Sequence, residues 1–130
     1  FLQYQFAVPD AAAHLVRTTL EALRQIGAPS FLTVLKRFGP GNPGPLSFPM
    51  PGWTLAADVS AAVPGLFELL DQLDEQVAEA GGRLYLAKDS RQSATMLERS
   101  YPRLHEWRQQ RALLDPRGVF SSDLARRVKL

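Results

Sequence analysis

The chain contains no cysteine, which removes disulfide frameworks, thiolate nucleophiles and thiolate metal ligands together. Histidine is nearly as scarce. His14 and His105 stand far apart in 130 residues, too little to found a metal site. No run approaches the roughly 20 apolar residues that a membrane helix needs. The opening Phe1-Leu-Gln-Tyr-Gln-Phe6 has neither the basic start nor the apolar core of a secretory signal. Those absences leave the compartment open, and a start without methionine, already in strand-like sequence, reads as a piece of something longer. Catalytic spacing motifs are missing as well: there is no glycine-rich phosphate loop before a helix, no His-Glu-x-x-His and no Gly-x-Ser-x-Gly.

What is present suits a folded domain. Apolar residues make up 45% and charged residues 22%, the balance of a globular protein rather than a disordered one. A chain of this length buries roughly two-thirds of its unfolded surface. The net charge of +2 hides an asymmetry: residues 1–82 carry four Lys/Arg against eight Asp/Glu, residues 83–130 eleven against five. A basic tail can face phosphate, nucleic acid, lipid or an acidic neighbouring domain. The plain alternative is a solvated helix surface, since Arg103, Arg108 and Arg111 fall in a polar, helix-like stretch.

Leu2 to Val8 alternates in the period-2 pattern of a strand, with Leu2, Tyr4, Phe6 and Val8 on one face and Gln3 and Gln5 on the other. Pro9 stops it. Asp10 is placed to cap a helix whose apolar positions are Val16, Leu20 and Leu23 with Leu15, Thr19 and Ile26, ending at Gly27. Ser30 to Phe38 reads as a second strand with Val34, Lys36 and Phe38 on one face. The Pro/Gly-rich stretch from Gly39 to Pro45 can only be a loop. Trp53 to Val59 restores a strand, with Thr54, Ala56 and Asp58 sharing a face. Leu66, Leu70, Leu73, Val77 and Ala80 trace the buried stripe of a second helix, with Glu68, Asp71, Asp74, Glu75 and Glu79 on its wet side. Residues 83–87 form a short fourth strand, and helices follow near 93–100, 103–113 and 121–127.

The order βαββαβ predicts an α+β fold of the split βαβ kind: an antiparallel sheet with both helices on one face, the other face free, and a helical C-terminal tail that needs something to pack against. Polar residues interrupting the strands, Gln3, Gln5, Lys36 and Thr54, together with Lys88 just after the last strand, are the candidate site. Strand glutamines are ordinarily solvated, and the alternative reading of Lys88 is a surface lysine before an Asp-Ser helix cap.

Longer wording goes further than spacing. Phe1-Leu-Gln-Tyr-Gln-Phe6, Lys36-Arg-Phe-Gly-Pro-Gly-Asn42, Leu46-Ser-Phe-Pro49 with Pro51-Gly-Trp53, Gly82-Arg-Leu-Tyr-Leu-Ala-Lys-Asp-Ser-Arg91 and Asp115-Pro-Arg-Gly-Val-Phe-Ser-Ser-Asp-Leu-Ala-Arg-Arg127 resemble, in order, successive blocks of the decaprenylphosphoryl-β-D-ribose oxidase family. These are FAD-linked oxidases of the vanillyl-alcohol oxidase type, near the aldonolactone oxidases. The resemblance implies that residues 1–82 are part of a substrate-binding domain and that residues 83–130 return to pack on an N-terminal FAD domain, a partner outside this chain. It implies Lys88 as the catalytic cation beside the flavin and the substrate, where it offsets charge arriving with hydride. Gln3, Gln5, Lys36, Phe38, Thr54 and Ala56 match substrate-pocket positions, and Tyr85 an aromatic beside the flavin; Phe38 and Tyr85 read equally as core. Arg91 is assigned an ion pair that holds the tail.

Two positions depart from the pattern. Where a mycobacterial form of that family carries Asn and Cys after Pro-Gly-Trp, this chain has Thr54 and Ala56, which puts sugar and lipid specificity in doubt but not hydride transfer. The implied reaction is oxidation of a hydroxyl of a phosphoryl-linked pentose to a ketone, electrons passing on to quinone or oxygen. A short-chain dehydrogenase partner would complete an epimerisation that supplies cell-wall arabinose, and a lipid-linked substrate would bring the enzyme to a membrane surface. The alternatives are a sugar or aldonolactone oxidase of the same fold and a non-catalytic βαββαβ binding module. Nucleic acid is not expected, since the strands lack exposed aromatics among basic residues and the first half is acidic.

Overall fold

The computed structural model describes residues 1–130. Four strands, β1 (Leu2–Val8), β2 (Leu32–Phe38), β3 (Gly52–Val59) and β4 (Arg83–Leu84), make one sheet in the order β2-β3-β1-β4, every neighbouring pair antiparallel. Helices α1 (His14–Gln25) and α2 (Leu66–Glu79) supply the βαββαβ connections. The fold is therefore α+β with the split βαβ topology, since β3 lies between β1 and the parallel β2.

Strand alternation decides the layers. Tyr4, Phe6 and Val8 of β1 and Leu55, Ala57 and Val59 of β3 point to the helices and meet Leu15 and Leu23 of α1 and Leu66, Leu70, Leu73 and Val77 of α2 in one core. Burying a side chain such as Phe6 or Leu70 completely contributes about 1.5–3 kcal/mol. Both helices cover this face, and Gln3, Gln5, Thr54 and Ala56 belong to the other. At the sheet's outer edge β2 has Leu32, Val34 and Leu35 substantially exposed.

Several local expectations are corrected. Asp10 does not cap α1. It lies in a 3-10 turn (Asp10–Ala12) and pairs with Arg37 of β2 at 2.7 Å, while Ala13 precedes α1 without a side-chain cap. The buried stripe of α1 is Leu15, Thr19 and Leu23, which turns Leu20 outward at 37% exposure. The second strand begins at Leu32 rather than Ser30, whose hydroxyl donates to the Leu32 carbonyl and accepts from the Asp58 amide. The fourth strand stops at Leu84, and Leu86–Lys88 forms a 3-10 turn closed by the Lys88 and Asp89 amides on the Tyr85 and Leu86 carbonyls. Asp74 is not on the wet side of α2 but 2% exposed in the protein interior.

The tail forms α3 (Ala94–Ser100), α4 (Leu104–Leu114) and α5 (Asp123–Val128). Ser93 and Ser122 cap α3 and α5 by accepting from the Met96 and Ala125 amides, each at 3.1 Å. The partner these helices need is partly themselves: Leu97, Tyr101, Leu104 and Val128 make a second small core with Leu46 and Leu86 at its margin. Arg83 and Arg103 tie the Pro/Gly loop to this unit by donating to the Ser47 and Pro43 carbonyls. Leu113, Leu114, Val119 and Phe120 remain exposed. No helix is long and apolar enough to cross a membrane.

Candidate functional site

On the sheet face that the helices leave free lies a cavity of about 380 Å³. Strand register builds its floor in rows. Gln3, Asp58 and Leu32 form one row, Gln5, Ala56 and Val34 the next, and Thr54 pairs with Lys36 beyond them. Because side chains at i and i+2 share a face, these rows open on the same side. Phe38 ends β2, while Tyr85 and Lys88 come from the β4 turn on the opposite side of the cavity. The eight positions singled out by sequence, Gln3, Gln5, Lys36, Phe38, Thr54, Ala56, Tyr85 and Lys88, all line this one cavity.

Phe48 joins them, a residue that spacing arguments passed over because it sits between the Pro/Gly loop and β3. Its ring stacks on Tyr85 with centroids 4.4 Å apart and receives Phe38 edge-on at 5.7 Å. The loop thus folds back as a wall, with Phe48 itself buried. The available signal was an aromatic within an otherwise Pro/Gly/Ser-rich loop, which has to be covered by something. Leu32, Val34 and Asp58 were implicit in the alternation that placed Lys36 and Thr54.

The polar side of the cavity has a defined donor pattern. Thr54 donates its hydroxyl proton to the Phe6 carbonyl at 2.8 Å, so it must accept at the Gln5 contact of 3.1 Å, and the Gln5 atom there is the amide nitrogen. The Gln5 carbonyl oxygen is buried and has no partner in the protein. Lys36 and Lys88 both line the cavity, and neither is in an ion pair. The arrangement offers two cationic groups, the Gln3 and Gln5 side chains and an aromatic wall. That set suits an anionic or polyhydroxylated ligand with a flat apolar part.

Behind the sheet, Tyr4 donates to Asp74 at 3.0 Å, and Arg91 bridges Asp74 and Asp71. Burial pushes the Asp74 carboxyl up to about 6 despite the opposing pull of Arg91 and Tyr4, with Asp71 adding to the rise. Burial also raises the Tyr4 hydroxyl well above its ordinary value. Arg91 thereby joins the segment after Lys88 to α2. No cluster of His, Cys, Asp and Glu suited to a metal ion is present.

Comparison with known proteins places the chain in a family. Residues 60–128 match the family model described as D-arabinono-1,4-lactone oxidase. Over all 130 residues the chain is 49% identical to decaprenylphosphoryl-beta-D-ribose oxidase of Mycolicibacterium smegmatis, and spans 28% of that protein's length. Over 127 residues it is 46% identical to a Streptomyces coelicolor protein described as an uncharacterized protein in the mprA 5' region, of which it spans 35%. A family match over more than half of its residues, with near-half identity from end to end, shows that this chain belongs to the D-arabinono-1,4-lactone oxidase family of oxidoreductases.

Proposed function

We propose that the chain is the substrate-facing domain and C-terminal tail of an FAD-dependent oxidoreductase that converts a hydroxyl of a phosphoryl-linked sugar to a ketone. The observation that carries this reading is the meeting of Lys36, Lys88, Gln3, Gln5 and the Phe48–Tyr85 stack in one cavity. In this reading residues 1–82 carry most of the substrate pocket, and residues 83–130 return to an FAD domain elsewhere in the longer protein.

The residues present fit a flavin edge. Tyr85 offers an aromatic ring and Lys88 a cation beside it in the same cavity. FAD, when bound, supplies the hydride acceptor, and most of its binding surface would come from the other domain. Lys88 holds a positive charge where negative charge develops. At about 4 Å and an effective dielectric of about 20, that attraction reaches roughly 4 kcal/mol, nearly three decades in rate if it is expressed only in the transition state. Gln3 and Gln5 orient sugar hydroxyls, and Lys36 meets the phosphate as a point charge. A short-chain dehydrogenase acting on the ketone and a membrane-borne lipid substrate complete the proposal.

The test follows flavin absorbance in the full-length protein mixed anaerobically with a phosphoryl-ribose. Rapid bleaching in wild type, slowed about a hundredfold or more in Lys88→Ala, is expected. A protein purified without flavin would overturn the oxidase reading, and equal bleaching in both forms would remove the role of Lys88. The family's lactone-oxidase description favours a second reading, an unphosphorylated sugar or aldonolactone as substrate. Lys36→Ala separates the two, since it should raise KM for a phosphorylated substrate and leave an unphosphorylated one unaffected.

A further inference from the structure

Lys88 ends a short turn, and the residues after it, Asp89 to Ser93, lie in no helix or strand. A lysine on such a segment would ordinarily be free to move with its backbone. Here the segment is held from two directions. Asp89 receives the Arg91 and Gln92 amides on one carboxylate oxygen, at 3.1 and 2.9 Å, which curls the chain back on itself. Its other oxygen receives Arg127 of α5 at 2.8 Å, and a second Arg127 nitrogen donates to the Gln92 carbonyl. From the opposite side Arg91 reaches α2 and pairs with Asp74 and Asp71.

These pairs are substantially enclosed: side-chain exposure is 10% for Asp89 and 30% for Arg127, and 13% for Arg91 and 3% for Asp74. An enclosed ion pair adds little net stability over an apolar packing of the same volume, and its best-attested use is to fix a register. What these two fix is the backbone beside Lys88. Asp74 also receives Tyr4, which sits on β1 between Gln3 and Gln5. One carboxylate therefore ties the glutamine side of the cavity to the lysine side.

We infer that Arg127 and Asp89 are positioning residues for Lys88, the Asp89–Arg127 pair acting with Arg91–Asp74 as a two-sided clamp that sets where the Lys88 ammonium stands. This rests on the proposed role of Lys88 in hydride transfer. It makes the last helix, remote from the cavity floor, part of what shapes the site.

The experiment uses the full-length flavoprotein carrying Arg127→Gln, alone and combined with Lys88→Ala. Because a misplacement of about 1 Å can cost a hundredfold, bleaching by a phosphoryl-ribose should slow at least about tenfold in Arg127→Gln, with KM little changed. In the Lys88→Ala background the same substitution should slow nothing further, the non-additivity expected of residues acting through one group. Equal slowing in both backgrounds would assign Arg127 a general structural role and overturn the inference. Amide exchange gives a readout independent of turnover. Amides 86–92 should exchange faster in Arg127→Gln while those of β1 and β3 hold, and unchanged exchange at 86–92 would also overturn it. Should Arg127→Gln fail to fold, Asp89→Asn keeps an oxygen for the Arg91 and Gln92 amides while removing the charge that Arg127 meets. If wild type does not bleach with any sugar, the functional reading falls, and the exchange data still decide whether the clamp exists.

Discussion

Thr54 accepts a hydrogen bond from Gln5 at 3.1 Å while its own proton goes to the Phe6 carbonyl at 2.8 Å. The hydroxyl therefore fixes which end of the Gln5 amide faces it, and leaves the Gln5 carbonyl oxygen buried without a partner. Thr54→Val, nearly the same shape without the hydroxyl, should release that orientation. Loss of one such bond is worth about 1–1.5 kcal/mol, so KM for the proposed sugar substrate is expected to rise about tenfold, with Thr54→Ser near wild type. Equal KM values for the two variants would mean that the hydroxyl does not hold Gln5.

Asp74 predicts a pH dependence of stability. Its carboxyl is raised from 3.8 to about 6 in the folded protein, mainly by burial. The native state thus holds this proton more tightly than the unfolded chain does. The stability it contributes is present below about pH 4 and is lost as pH rises through about 6, an effect of about 1–3 kcal/mol. The groups facing it are Arg91, Tyr4 and Asp71. Urea unfolding midpoints at pH 4 and pH 7.5 should show this component in wild type and lose it in Asp74→Asn. An unchanged pH slope in the variant would contradict the assignment.

Gly52 opens β3 at φ +142°, and a Cβ there would sit 2.1 Å from the Val8 carbonyl oxygen. Both strain and collision oppose Gly52→Ala, which should cost about 3 kcal/mol or more. Gly27 follows α1 at φ +75° with open space around it, so Gly27→Ala should cost only about 1–2 kcal/mol. Thermal or urea unfolding of the two variants checks the order, and a reversed order would show that β1 and β3 separate readily at this point.

Much of the sheet was legible because alternation is a direct projection of strand geometry. Gln3 and Gln5, or Thr54 and Ala56, had to share a face whatever the tertiary structure. Asp74 shows where the reading failed. Its spacing from Leu70, Leu73 and Val77 places it on the buried stripe of α2, yet a carboxylate argues for solvent, and the partners that reverse the argument, Tyr4 and Arg91, lie 70 and 17 residues away. Residues 16, 20 and 23 and residues 15, 19 and 23 of α1 offered two overlapping stripes, and packing against α2 and the sheet selects the one that contains Thr19. The joining of Lys88 to α5 through Asp89 and Arg127 has no local signature at all, because it depends on two helices returning across 38 residues.

The edge position of β2 divides the cavity into a plastic wall and a rigid one. Leu32, Val34 and Lys36 stand on the strand that ends the sheet of this chain, and none of them enters its core. Gln5, Thr54 and Ala56 rise from inner strands whose reverse faces are the core itself, and a change of volume there is transmitted into Phe6 and Leu55. Within this chain, a substitution on β2 thus perturbs less packing than one on β1 or β3. What the cavity admits can therefore be altered from β2, Lys36 included, with the core beneath β1 and β3 left as it is.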